Sequence, residues 1–398
     1  MTRGRDWGPR LLDDVDLLRR LKARPELFAR LLETQGPELA RQRQLREEFP
    51  DDLVRAALLL AELRDHGRAK FPRAGEMWFD RAGLEQATSE PVARYKACRF
   101  RPRARPVFDL CCGIGADAIA QAEFGPVTAV DLRPAACLMT EWNSAVCGVA
   151  ERVETRVLPA ESIDVSGCLV HIDPDRRPGG QRSLRIEDHQ PPLAFLQRLT
   201  SQAPGGAIKL SSASNFGGKF PDCEVELISF EGECKEAVVW FGELRSETDW
   251  RATVLPSGES LTGDPWTAQA KTSPLLKHLY DPDPSVVRAG LVDVLAERDR
   301  LFRLDPAEEY LTSDALQVSP FTQAFEVLAE LPNNDREIRA YFRDADCGQV
   351  EIKCRRIPIS AEKVRRQLPL TGRQPLVLVF ARVAGRARAV VCRRPASH

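Results

Sequence analysis

The residues best suited to chemistry lie in Val107-Phe-Asp109-Leu-Cys-Cys-Gly113-Ile-Gly115-Ala-Asp117-Ala118. An apolar run ends at Asp109, a turn holds two glycines, and helix-forming residues follow. With no Cβ at Gly113 or Gly115, a ligand can approach the backbone of the turn closely. The next apolar run, Val127-Thr-Ala-Val-Asp131, also ends on an acid. A carboxylate there can accept hydrogen bonds from both hydroxyls of an adenosine ribose. Gly113–Ala118 also fits G-x-G-x-x-G/A, so the glycines alone do not choose between a nicotinamide dinucleotide and S-adenosylmethionine. Two other features do. Asp109 stands four residues before the first glycine, where an acid suits a cationic ligand with a free amine and repels a pyrophosphate. A later apolar run ends in His171-Ile-Asp173-Pro174, an acid–proline pair for which hydride transfer has no general need.

Asp173-Pro174-Asp175-Arg176-Arg177 is the candidate reaction segment. The Asp173 side chain and the Pro174 carbonyl can accept hydrogen bonds from an amine. Its lone pair then points at an electrophilic methyl group, and orientation is most of what an in-line displacement requires. The guanidinium plane of Arg176 can stack on a flat ring. The loop beyond it carries Arg177, Arg182 and Arg185. These three could grip phosphates or be solvated. Lys209, after a fifth apolar run, is placed at the same cleft. Cys111 and Leu132 are further candidate cofactor contacts. No Cys-x-x-Cys occurs and the five histidines are dispersed, so no metal is expected.

These residues need a scaffold that brings strand ends together. Short apolar runs at Pro106–Leu110, Val127–Asp131, Val153–Leu158, Cys168–Ile172 and Ala207–Ser211 read as strands buried on both faces. Helical stretches fall between them at Asp117–Ala122, Pro134–Val146 and Pro192–Ser201. This alternation predicts an α/β fold with a parallel, Rossmann-like sheet. Glu224–Phe230 and Lys235–Phe241 flank a turn and read as a hairpin on one sheet edge. Residues 1–100 have helical periodicity; Pro50-Asp51-Asp52 opens one segment and Gly67 closes it. Residues 101–250 form the sheet domain, and 251–330 read as an irregular linker with one helix, Ser285–Arg298. Residues 331–398 read as a small α+β module. It has helices near Asp335–Arg343 and Ser360–Leu368, a strand Gln349–Arg355, and a hairpin turned at Ala384-Gly385.

The chain has 398 residues, 57 Lys+Arg and 58 Asp+Glu. That balance excludes an acidic disordered tail or a globally basic coat protein. The charge is unevenly spread. Residues 332–398 carry 15 Lys+Arg against 6 Asp+Glu, a net of +9. Arg355, Arg356, Lys363, Arg365 and Arg366 are the densest cluster. They read as a nucleic-acid footprint or as a solvated helix face. No apolar run is long enough to span a membrane, and MTRGRDWGPR has no apolar signal core. The eleven cysteines, including the vicinal Cys111–Cys112 pair, are therefore expected as reduced thiols of a cytoplasmic protein.

Asp109-Leu-Cys-Cys-Gly-Ile-Gly resembles the first motif of class I S-adenosylmethionine-dependent methyltransferases, and Asp131 resembles their second. Together with LEQATSEPVARYKACRF (84–100), DPDRRPGGQR (173–182), YDPDPSVVRAG (280–290) and QVEIKCRRIPI (349–359), the chain resembles bacterial class I methyltransferases with a C-terminal THUMP-like domain. The likeness spans roughly residues 40 to 395. The core is also similar, more loosely, to trimethylguanosine synthases, through Gly115-Ala-Asp117 and Glu141-Trp-Asn143-Ser-Ala145. The resemblance implies S-adenosylmethionine over the glycine loop, its ribose on Asp131, its adenine flanked by Pro159-Ala160-Glu161, and an acceptor at Asp173 and Pro174; Glu161 reads equally well as a solvated helix-start residue. It favours RNA, a tRNA or rRNA base, as the acceptor. A small-molecule methyltransferase and a catalytically silent RNA-binding protein are the competing expectations.

Overall fold

The computed structural model describes residues 11–101, 105–176 and 183–395. Its contacts divide the chain into two compact units. One comprises residues 1–223 and 238–245, the other 224–237 and 246–398.

The first unit opens with helices α1 (Val15–Lys22), α2 (Pro25–Glu33), α3 (Glu38–Glu48), α4 (Asp51–Gly67), α5 (Arg81–Gln86) and α6 (Glu90–Ala97). Asp14 caps α1 by accepting from Asp16 and Leu17 N–H. The apolar stripes of these helices join Trp78 and Phe79 in one core, which extends to Ile114 of the glycine turn and to Met139 and Trp142. The N-terminal helices therefore pack on the turn that the sequence marks as a ligand site.

The alternating segment follows: β1 (Val107–Leu110), α7 (Ala116–Ala122), β2 (Val127–Asp131), α8 (Pro134–Val146), β3 (Val153–Val157), β4 (Leu169–Ile172), α9 (Leu193–Gln202) and β5 (Gly205–Leu210). The order is β3-β2-β1-β4-β5, with every neighbour parallel. Strand order reverses between β1 and β4, and open α/β sheets bind ligands at such a crevice. β4 and β5 are buried throughout, as expected of covered parallel strands. β3 is not. It is the sheet edge and is largely exposed, because its Glu154 and Arg156 alternate outward.

β6 (Glu224–Phe230) and β7 (Glu233–Gly242) form the expected hairpin. It is turned by Glu231 and Gly232, which have φ of 52° and 77°. The hairpin follows β5 in the strand order, as expected, but it does not end that order. In the second unit β6 pairs in parallel with β8 (Trp250–Leu255), and β9 (Glu259–Gly263) returns antiparallel. The segment from 251 to 330 is likewise not an irregular linker. It contributes β8, β9, β10 (His278–Pro282), α10 (Pro284–Arg288), α11 (Val292–Asp299), β11 (Phe302–Arg303), β12 (Leu311–Ser313) and β13 (Thr322–Pro332). The single helix expected at 285–298 is two, because Gly290 adopts φ +74° between them.

The rest of the chain adds α12 (Asp335–Asp344), β14 (Cys347–Cys354), α13 (Ala361–Gln367), β15 (Gln374–Val383) and β16 (Arg386–Arg393). The seven-stranded sheet runs β11-β12-β10-β13-β16-β15-β14. Side chains of β15 alternate. Leu376, Leu378 and Phe380 meet Ile338 and Phe342 of α12 and Leu368 beyond α13. Val377, Val379 and Ala381 join Leu279, Tyr310 and Phe325 in a separate core. Both helices therefore cover one face.

Candidate active site

A cavity of about 750 Å³ opens at the C-terminal ends of β1, β2 and β4. Its floor is the glycine turn. Cys112 N–H donates to Val130 O at 3.0 Å and Gly115 N–H to Cys112 O at 2.9 Å. Cys111, Gly113 and Gly115 adopt φ of 59°, 57° and 84°. The two glycines serve different ends. A Cβ at Gly115 would stand 2.8 Å from Thr140 Cγ2, whereas one at Gly113 would meet nothing within 4 Å. Gly115 allows α8 to pack against the turn, and Gly113 leaves open space in the cavity wall.

Asp131 accepts Gly113 N–H on Oδ2 and Arg133 N–H on Oδ1, both at 2.9 Å. Burial pushes its carboxyl above the ordinary range, opposed by the Arg133 and Gly113 N–H groups. Beyond it Leu132 is 59% exposed and Leu158 41% exposed, although both are large and apolar. With buried Ala160 they line the cavity next to Glu161. This is the character of a slot for a flat, apolar ring.

Asp109 is buried. Its Oδ1 lies 2.6 Å from His171 Nδ1, and Oδ2 is buried with no hydrogen-bond partner. Burial raises the Asp109 carboxyl, and the charge and hydrogen bond of His171 pull it back. Beneath this pair lies a buried ion pair, Lys96 Nζ to Asp117 Oδ1 at 2.8 Å. Burial alone would raise the Asp117 carboxyl, but Lys96, His171 and Lys209 hold it well below the usual range.

At the end of β4, Asp173 reaches the cavity and Pro174 is buried behind it. Lys209 lies within β5 rather than after it, and is buried. Its ammonium donates to Asp173 Oδ2 at 2.6 Å and to Gln86 O at 3.0 Å. Asp175 bridges Gln190 through two backbone hydrogen bonds, Asp175 N–H to Gln190 O at 2.8 Å and Gln190 N–H to Asp175 O at 3.0 Å. Arg176 is half-buried and Arg185 exposed; Arg177 and Arg182 lie outside the described residues. Cys111 is unsuited to act as a nucleophile, since burial and the neighbouring carboxylates of Asp131 and Asp173 push its thiol well above the ordinary value.

The sequence did not reveal how much of this cavity comes from the N-terminal helices. Asp80, Gly83, Gln86 and Thr88 line it, as does Asp13. Asp80 caps α5 through Gly83 N–H at 2.7 Å. Arg133 reaches both Asp80 and Asp13, at 3.3 and 3.4 Å. An Asp-x-x-Gly cap and the spacing of Asp131 and Arg133 were the only local signals. Among the described residues, nine carboxylates and two arginines line the cavity. That lining disfavours a pyrophosphate and suits a ligand carrying a sulfonium and an amine. The space at Gly113 and the partnerless Oδ2 of Asp109 fit S-adenosylmethionine.

The basic residues of the second unit are partly spent. Arg355 is a correction to its expected role in gripping a substrate. It is only 20% exposed, and its guanidinium is held at 2.7 Å by Asp281 and also by Pro282 O. Lys353 shares Asp281, and Arg356 pairs with Glu309. These carboxylates come from 246–331, where 7 Lys+Arg face 15 Asp+Glu, a net of −8. Arg365 and Arg366 are exposed on α13. Among the described residues no group of His, Cys, Asp and Glu could hold a metal, and no helix is long and apolar enough to cross a membrane.

Fold and site together define a Rossmann-like methyltransferase of the class I type. Comparison with known proteins agrees. The chain is 36% identical over 330 residues to uncharacterized S-adenosylmethionine-dependent methyltransferases of Mycobacterium tuberculosis strains CDC 1551 and H37Rv, covering 79% of this chain and 88% of theirs. It belongs to that family of S-adenosylmethionine-dependent methyltransferases. Residues 322–394 match the THUMP domain-like family, so the module includes β13. The crystal structure of a candidate methyltransferase from Porphyromonas gingivalis W83 shares the fold. Its TM-score is 0.73 at 19% identity, over 96% of this chain and 98% of that one.

Proposed function

We propose that this enzyme methylates a base of RNA, tRNA or rRNA, at a nitrogen that carries hydrogen. The observation that carries the RNA reading is the outer face of the THUMP-like module. Arg336, Arg339 and Arg343 of α12 and Lys363, Arg365 and Arg366 of α13 are all exposed on helices that cover one sheet face. Among the described residues only Arg366 of the six has a carboxylate partner, Glu362. Arg366 apart, this exposed cluster of cations has no carboxylate partner among those residues, and Arg339 is held only by the backbone carbonyl of Asp335; such a face is the electrostatic footprint of a phosphate backbone.

When bound, S-adenosylmethionine supplies a methyl group on a positively charged sulfur, and the departing electron pair stays on that sulfur. Asp109, with its unpartnered oxygen, would hold the amine, Asp131 the ribose, and Leu132 and Ala160 the adenine. Asp173 and the Pro174 carbonyl would accept N–H from the acceptor and aim its lone pair. As the new N–C bond forms, the nitrogen holds a surplus proton, which the Asp173 carboxylate would receive. Arg176 and Arg185 would steady the base and its phosphate.

The test uses methyl-labelled S-adenosylmethionine with RNA, protein and small-molecule fractions from cells lacking this enzyme. Label confined to RNA supports the reading, and digestion to nucleosides then names the site. Label confined to small molecules overturns it and leaves the module a packing role.

A further inference from the structure

We propose that Lys209 is the positioning residue for methyl transfer, and that α5 is the strut through which the N-terminal helices fix the acceptor acid. The proposal rests on reading Asp173 as the group that meets the acceptor.

Lys209 is 7% exposed, and its ammonium lies between two oxygens. One is Asp173 Oδ2 at 2.6 Å and the other is the carbonyl of Gln86 at 3.0 Å. Gln86 is the last residue of α5, where a carbonyl has no partner within its own helix. The ammonium therefore satisfies a helix end and pins one oxygen of Asp173 in the same contact. Asp173 also lines the cavity, and with Oδ2 held its carboxylate does not turn freely. A carboxylate held this way presents an acceptor lone pair to an N–H in one direction.

The opposite end of α5 is fixed just as firmly. Asp80 caps the helix through Gly83 N–H and meets Arg133 at 3.3 Å, and Arg133 Nε lies 3.9 Å from Asp131. A Cβ at Gly83 would come within 2.6 Å of Ile114 Cγ2, so α5 presses directly on the glycine turn. One short helix thus joins the acid for the ribose to the acid for the acceptor. A lysine that was merely buried and satisfied would need none of this alignment.

The decisive experiment is a double-mutant cycle. Wild type, K209M, D173N and K209M/D173N are compared with labelled S-adenosylmethionine and RNA from cells lacking the enzyme. If Lys209 acts through Asp173, K209M lowers kcat about 30-fold or more with KM for RNA within about threefold of wild type. In the D173N background the same change costs less than about threefold. Two readouts do not depend on turnover. S-adenosylhomocysteine affinity by calorimetry stays within about threefold of wild type, and amide exchange at Gln86–Thr88 rises in K209M. Thermal unfolding of K209M/D173N, which leaves neither charge unpaired, controls for folding. Equal losses in both backgrounds, or unchanged exchange at Gln86–Thr88, overturn the proposal. Should label enter another fraction instead of RNA, the RNA reading falls. The cycle is then run on that fraction and still decides the role of Lys209.

Discussion

Gly113 and Gly115 sit two residues apart in one turn, yet alanine should separate their roles. Both have positive φ, 57° and 84°, and a left-handed backbone costs a residue with a Cβ roughly 1–2 kcal/mol. At Gly113 that is the whole cost to folding, because the new methyl meets nothing within 4 Å. At Gly115 the methyl would lie 2.8 Å from Thr140 Cγ2 and 3.0 Å from Oγ1. Thr140 cannot simply rotate away, since its hydroxyl donates to Gly113 O at 3.1 Å. Overpacking adds roughly 1–3 kcal/mol, so G115A should lose about 2–5 kcal/mol in denaturant unfolding and G113A about 1–2. Binding should rank the other way among the folded fractions. The Gly113 methyl projects into the space we assign to the cofactor, and S-adenosylhomocysteine affinity should fall about tenfold or more, or about 1.4 kcal/mol. Calorimetry on each variant reads this directly. A G113A protein that binds S-adenosylhomocysteine like wild type would refute the assignment of that wall.

Four further outcomes follow. Asp131→Ala removes an acceptor of charge-assisted hydrogen bonds worth roughly 1.5–3 kcal/mol each, so S-adenosylhomocysteine should bind about tenfold to a hundredfold more weakly by calorimetry. Lys96→Met leaves buried Asp117 without its 2.8 Å partner and should cost about 3–5 kcal/mol, with K96M/D117N recovering most of it. The Asp117 carboxyl is held below its ordinary value, so its stabilisation is complete above the unfolded value of about 3.9 and is lost as pH falls from there through the lower folded value. An acid titration of D117N should therefore lose less stability below about pH 4 than wild type. Replacing Arg336, Arg343, Lys363 and Arg365 by glutamine should flatten the salt dependence of RNA binding by up to about 0.7 in log–log slope per lost phosphate contact; an unchanged slope would exclude that face.

Much of the first unit was legible because its signals are local. The turn at Gly113 and Gly115 needs positive φ, Asp131 and Asp173 stand at strand ends, and Gly232 marks a hairpin. The second unit was less legible because its strands pair at a distance. β10 pairs with β13, His278 beside Glu326, and nothing near either strand announces the other. Gly290 splits what reads as one helix. Partners within the site were hidden for the same reason: His171 finds Asp109 across adjacent strands, and Lys209 finds Asp173 and Gln86. Charge counting misled at Arg355, because the carboxylate that holds it, Asp281, belongs to a different stretch of sequence.

The most direct measurement of the central claim needs no acceptor. Methyl-labelled S-adenosylmethionine is crosslinked to the protein by ultraviolet light, and the labelled peptides are mapped. We expect label in peptides from 109–115, 131–133 or 158–161, abolished by excess S-adenosylhomocysteine and reduced by Asp131→Ala. Label confined to residues 250–395 would contradict the account.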